Sequence, residues 1–177
     1  MIKSDSIMLI LSSPSGAGKT TITKKIQQKY NNFKISVSHT TRKPRTNEVD
    51  GVDYHFVKKE QFEELIEKKE FYEFAKIFDN YYGTSKKAVE KIIKNNNNVL
   101  FDIDWQGTQQ LNKYSELKLI KVFILPPNKV ELKKRLHQRN KEKNEILEKR
   151  LNSYDIDSTH WKDYDYILIN DNLENCY

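Results

Sequence analysis

The sequence predicts an α/β fold built on a five-stranded parallel sheet, and three observations carry that prediction. Short apolar runs of strand length recur along the 177 residues, helical patterns fall between them, and a glycine-bearing loop follows the first run and opens a helix. Strands alternating with helices are the pattern of a parallel sheet covered by helices. The length suits one domain with room for small inserted lobes.

The five runs are "IMLILS" (7–12), "FKISV" (33–37), "VLFDI" (99–103), "KVFIL" (121–125) and "YILIN" (166–170). Each has a β-branched or aromatic bias, and most are apolar on successive residues, as expected of strands covered on both faces. Helical patterns occupy 19–30, 60–69 and 85–94, a weaker stretch 107–113, and 128–139 continuing towards 154. The interval 38–84 breaks this rhythm with Pro44, Gly51, Gly83, many tyrosines and an alternating "VDYHFV". The alternation predicts an antiparallel strand, and the interval reads as an inserted lobe. "NNNN" at 95–98 reads as a surface turn before a strand.

Composition narrows the class. Apolar residues are 37% and charged residues 32%, which is polar for a globular chain, yet ten tyrosines and eight phenylalanines exclude disorder. The single cysteine, Cys176, cannot form an intramolecular disulfide and excludes a metal–cysteine site. No apolar run approaches the ~20 residues needed to span a bilayer, and no secretory pattern opens the chain. A soluble, cytoplasmic protein without a membrane partner is the expectation. Residues 129–150 carry nine Lys or Arg against four Asp or Glu, so +5 of the net +6 sits in one segment. Charge this local favours a specific anionic ligand over a nucleic-acid-coating surface.

"SSPSGAGKTT" (12–21) supplies the first chemistry. Strand, glycine loop, Lys-Thr and helix is the order in which backbone N–H groups curl around a phosphate at a helix N-terminus, where the dipole also favours negative charge. Lys19 would reach the outer phosphates, and the Thr20 hydroxyl would ligate Mg²⁺. Ser13 stands where the strict motif has its first glycine. "VLFDID" ends in Asp102 and Asp104, at the carboxyl end of a strand where parallel sheets bind ligands; at least one would sit near the metal, or both simply begin a turn.

Within the lobe, Arg42 and Arg45 flank Pro44 and precede Tyr54, a grouping suited to bidentate recognition of a second phosphate. Solvated surface arginines would look the same. Glu73, among the aromatics of "EFYEFAKIF", is costly to bury ionised unless paired, so it either meets a ligand edge bearing two N–H donors or ends a surface helix. Arg135 and Arg139 share a helix face at i, i+4, with Arg150 beyond; they could close over phosphate charge or form a solvated face. The four histidines, His39, His55, His137 and His160, fall in no catalytic or metal-ligating pattern.

"SPSGAGKTT", "SVSHTTRKPR", "GVDYHFV", "EFYEFA", "NYYGTS", "DIDWQG", "LKKRL" and "YILINDNL", in this order, resemble guanylate kinase over nearly the whole chain. The resemblance implies a P-loop kinase fold: a core of about 1–37, 85–126 and 151–177, a GMP-binding lobe of about 38–84 and a helical lid of about 127–150. It implies Mg²⁺-dependent transfer of the γ-phosphoryl of ATP to GMP or dGMP in purine nucleotide metabolism. Ser38, Glu73, Thr84 and Asp104 would contact guanine, and Arg42, Arg45, Tyr54 and Tyr82 the GMP phosphate. Ser13, Pro14, Ser15, Gly16, Ala17, Gly18, Lys19, Thr20 and Thr21 would hold ATP phosphates, with Asn170 near the adenine. Thr20 and Asp102 would lie at the metal; Lys19, Arg42, Arg135, Arg139 and Arg150 would serve the transferring group. Thr84 departs from the family's usual serine, and Asn140 from a glycine often found there.

Guanine presents N1–H and N2–H beside the O6 acceptor, so a carboxylate suits its donors and a hydroxyl its O6. Three other functions compete: an inactive relative binding proteins, a P-loop kinase for a different acceptor, and a basic RNA-binding protein. The intact phosphate loop and arginines weigh against the first, and the lack of aromatic-interleaved basic motifs against the last. A panel of nucleoside monophosphates separates the second.

Overall fold

The computed structural model describes residues 6–139 and 144–176, of which 139 and 144–146 are described by backbone alone. Its larger sheet has five strands in the order β2-β7-β1-β8-β9, every neighbouring pair parallel: β1 (Met8–Ser12), β2 (Phe33–Ile35), β7 (Asn98–Asp102), β8 (Leu119–Leu125) and β9 (Tyr166–Ile169). The predicted α/β class and all five runs are present. Strand β1 lies at the centre, where its side chains alternate between two cores. Met8 and Ile10 join Val89, Ile93, Val99 and Phe101 on one face; Leu11 joins Ala17, Ile22, Leu100 and Ile124 on the other.

The helices begin where local chemistry supplies their orphan N–H groups with partners. Helix α3 (Lys86–Lys94) is capped by Ser85, whose hydroxyl accepts from Ala88 N–H at 3.1 Å. Helix α4 (Trp105–Leu111) starts two residues earlier than its pattern predicts, because the Asp104 carboxylate accepts from Gly107 N–H at 3.0 Å. Asn128 caps α5 (Lys129–Arg139) through Glu131 N–H at 2.8 Å. Helix α6 (Asn144–Asp157) packs on α5 through Leu132, Leu136, Leu147 and Leu151.

The second sheet runs β4-β3-β6-β5 and corrects two expectations. "VDYHFV" contributes only β4 (His55–Phe56), which pairs in parallel with β3 (His39–Thr40). Asp50 bridges to Tyr54 and its carboxylate accepts from Phe56 N–H, so the chain turns fully before His55 and returns in the direction of β3. The antiparallel pairs are β3 with β6 (Asn80–Ser85) and β6 with β5 (Phe71–Ile77). Glu73 therefore lies on a strand and not at a helix end. A third correction concerns β9: it is an edge strand, with Tyr166 62% and Ile169 50% exposed, and it is not covered on both faces.

Candidate active site

The carboxyl ends of β1 and β7, the second sheet and α6 enclose one cavity of about 310 Å³. On the β1 side, Gly16 and Gly18 adopt φ of 90° and 101°, a left-handed backbone that favours glycine. A Cβ on Gly18 would also collide with the Asn170 amide. The resulting loop leads into α1 (Lys19–Lys29), whose first turn holds no acid and whose N-cap supplies no side-chain hydrogen bond. Thr21 and Ile22 N–H donate to the Gly18 carbonyl at 3.1 and 3.2 Å, and the helix start ahead of them suits an anion. Ser13, Pro14, Ser15, Gly16, Gly18, Lys19 and Thr20 line the cavity, and Lys19 Nζ pairs with Asp102 Oδ1 at the end of β7.

Ala17 and Thr21 do not line it. Ala17 is buried, with its carbonyl accepting from Asn170 Nδ2 at 2.7 Å, and Thr21 faces outward. Asn170 is itself 4% exposed and braces the loop from behind; it too is absent from the lining. Arg135 also lies elsewhere than its helix-face spacing implies. Its guanidinium donates to the Asn170 carbonyl at 2.9 Å and to Glu131 at 3.0 Å, which ties α5 to the end of β9 and keeps it out of the cavity. The Arg139 side chain and Asn140 lie outside the described residues.

The lobe supplies the opposite wall. Arg42 lies 5.3 Å from the Tyr54 ring and donates to Glu48 at 2.8 Å and to Tyr82. Arg45 N–H donates to the same Glu48 carboxylate at 2.8 Å. Burial pushes Glu48 up, but the Arg42 and Arg45 hydrogen bonds outweigh it and hold the carboxyl below its ordinary range. One acid thus fixes both arginines. Burial also pushes the Tyr54 phenol well up, so it remains a neutral O–H donor.

Deeper in the lobe, Glu73 is 3% exposed. Its carboxylate accepts from the Thr84 hydroxyl and backbone N–H, and burial lifts it to about 7. The Thr84 and Ser38 hydroxyls are 3.4 Å apart. Ser38 and Glu73 line the cavity, with Thr84 behind them. Asp104 lines it as well, while its oxygens accept from Gly107 N–H and Gln106 Nε2.

Helix α6 adds a face that the sequence reading found only in part. Arg150, Ser153 and Asp157 all line the cavity, and Arg150 Nη1 donates to Ser15 Oγ at 3.1 Å. The i, i+3, i+7 spacing of the three was the available signal. Asp157 accepts from Trp105 Nε1 at 3.2 Å, and burial raises its carboxyl. Lys76 and Ile77 at the end of β5, and Phe78 just beyond it, were also missed; no local pattern marks them.

A phosphate-binding loop on a parallel sheet, facing a lobe with paired arginines across one nucleotide-sized cavity, defines a P-loop nucleotide kinase. The guanylate kinase family model matches residues 6–177. The guanylate kinase of Paramagnetospirillum magneticum is 48% identical over 95% of this chain and 78% of its own length, and that of Rickettsia bellii 44% over 98% and 90%. A crystal structure of guanylate kinase from Anaplasma phagocytophilum superposes with a TM-score of 0.80 at 34% identity, covering 99% of this chain and 82% of that one. The chain belongs to the guanylate kinase family, and its reaction is phosphorylation of GMP by ATP. No helix among the described residues is long and apolar enough to cross a membrane.

Proposed function

We propose that the lobe wall reads GMP or dGMP and the β1 wall holds ATP, with Glu73 as the group that selects guanine. The observation that carries this is a carboxylate buried beside two hydroxyls, opposite Lys19 across the same cavity. Ionised Glu73 accepts from guanine N1–H and N2–H, the Ser38 hydroxyl meets O6, and Thr84 orients both. Arg42, Arg45, Tyr54 and Tyr82 hold the acceptor phosphate, and Asp104 bounds the guanine pocket while capping α4.

The acceptor needs no strong base, since a phosphate monoester has its second pKa near 6 and is mostly dianionic at neutral pH. One of its oxygens forms the new bond to the γ-phosphorus as the bond to the β–γ bridging oxygen breaks, leaving ADP. Catalysis is then alignment and charge neutralisation. Lys19, Arg42 and Arg150 supply charge from three sides. Arg135 acts by holding α5 in place, and Asn170 by holding the loop. Thr20 and Asp102 fit Mg²⁺: both line the cavity and present hard oxygens, and Mg²⁺ ordinarily takes one or two protein oxygens and fills its shell with phosphate and water. The ion would neutralise charge on the ATP phosphates. A cytoplasmic setting, without nucleic-acid or membrane partners, fits these small soluble substrates.

Rates with GMP, inosine monophosphate and AMP test the reading. Inosine monophosphate lacks only the N2 amino group and should fall between the other two. Glu73→Gln turns one acceptor into a donor facing a donor, and should lower kcat/KM for GMP by roughly 10² while leaving KM for ATP within about twofold. Unchanged GMP efficiency in a folded Glu73→Gln would remove Glu73 from the guanine pocket.

A further inference from the structure

Strand β5 is the edge of the second sheet, paired among the described residues only with β6. The outward N–H and C=O groups of such a strand ordinarily face solvent. At Phe74 they do not. Phe74 N–H donates to Gln110 Oε1 at 3.1 Å, and Gln110 Nε2 donates to the Phe74 carbonyl at 2.7 Å. The same amide nitrogen also reaches the Gln106 carbonyl at 3.3 Å. One side chain on α4 therefore bonds β5 as a neighbouring strand would, and it joins an element of the core to an element of the lobe.

Phe74 is adjacent to Glu73, and Gly107 lies one turn before Gln110 on the same helix face. A Cβ on Gly107 would lie 2.5 Å from Glu73 Oε2, so the carboxylate rests directly on α4. The same helix face holds the backbone beside Glu73 and supports its carboxylate from below. Gln110 itself is not among the residues that line the nucleotide cavity.

We propose that Gln110 is a positioning residue for base selection: its amide fixes the β5 backbone at a set distance from α4, and through it the Glu73 carboxylate that meets the guanine edge. The inference rests on the assignment of Glu73 as the group that reads guanine. The chemistry calls for a primary amide at this length. Asparagine is one methylene short, glutamate sets an oxygen against the Phe74 carbonyl, and methionine keeps the length but makes neither bond.

Steady-state kinetics of the parent chain, Gln110→Met, Gln110→Glu, Glu73→Gln and the double variant Gln110→Met with Glu73→Gln test it, using GMP and inosine monophosphate as acceptors. Gln110→Met should raise KM for GMP on the order of tenfold, leave KM for ATP within about twofold, and narrow the preference for GMP over inosine monophosphate. Gln110→Glu should do the same, and it stands in if the methionine variant fails to fold. In the Glu73→Gln background, Gln110→Met should add less than about twofold, because the group it positions is already disabled. An equal factor in both backgrounds, or matching rises in both KM values, would make Gln110 a scaffold residue only and overturn the proposal. A Glu73→Gln variant that keeps full GMP efficiency would instead overturn the reading of Glu73, and is told apart because it needs no Gln110 variant to see.

Discussion

Glu73 shows how one residue carries a proton balance as well as a recognition. Burial lifts its carboxyl from an ordinary 4.5 to about 7, against the Thr84 hydrogen bonds that favour the ionised form. Since the folded-state value is the raised one, the protonated carboxyl stabilises the unliganded fold. That contribution is complete below about pH 4.5 and is lost as the pH rises through about 7. Guanine has the opposite preference, because its two donors need the ionised form. Binding GMP below pH 7 must therefore expel a proton, and KM for GMP should rise about fivefold from pH 7 to pH 6 on this account alone. The substrate phosphate titrates nearby, so the Glu73→Gln variant serves as the reference: it keeps the phosphate's titration and lacks the carboxyl's. The ratio of parent to variant KM should climb as pH falls through 7. Parallel profiles would mean that the proton on Glu73 is not linked to guanine.

At the scale of elements, α4 is the joint between core and lobe, and Gly107 tests it. Alanine is the better helix former by up to about 1 kcal/mol, so local propensity favours Gly107→Ala. The added Cβ would displace the Glu73 carboxylate, the movable end of a side chain, so the cost falls on binding and not on folding. Thermal unfolding should stay within a few degrees of the parent while KM for GMP rises tenfold or more. A variant that melts much lower with normal GMP binding would show that the helix yields and the carboxylate does not. Such joints are hard to read in a sequence. The inner strands β7, β1 and β8 were legible because their apolar residues are buried within the sheet, and the phosphate loop because its glycines and Lys19 are local. The parallel return of β4 depends on an Asp50 turn, the exclusion of Arg135 on a carbonyl 35 residues away, and the strand at Glu73 on a partner strand and α4. None of these partners is within reach of a periodicity.

In the whole molecule, two substrate walls belong to different parts of the fold, and this predicts that they fail separately. Lys19 pairs with Asp102 in the β1 and β7 wall, while Arg42 and Arg45 are fixed by Glu48 in the lobe. The short ion pair of each network stays within its own part, while the charges of Lys19 and Asp102 still reach Glu73 and Tyr54. Lys19→Met removes a counter-ion from a mostly buried Asp102, so the unliganded variant should melt a few degrees below the parent. The hydrogen bonds that fix Arg42 and Arg45 are untouched. A ligand at 100 times its dissociation constant stabilises by about 2.7 kcal/mol, which for a chain of this size is roughly 5–10 °C. GMP should therefore raise the melting temperature of Lys19→Met as much as it raises that of the parent. The shift given by ATP with Mg²⁺ should shrink to a small fraction, and turnover should fall by several orders of magnitude. Retained ATP stabilisation with turnover lost would confine Lys19 to the transition state, and equal loss of both shifts would show that the two walls are one coupled site.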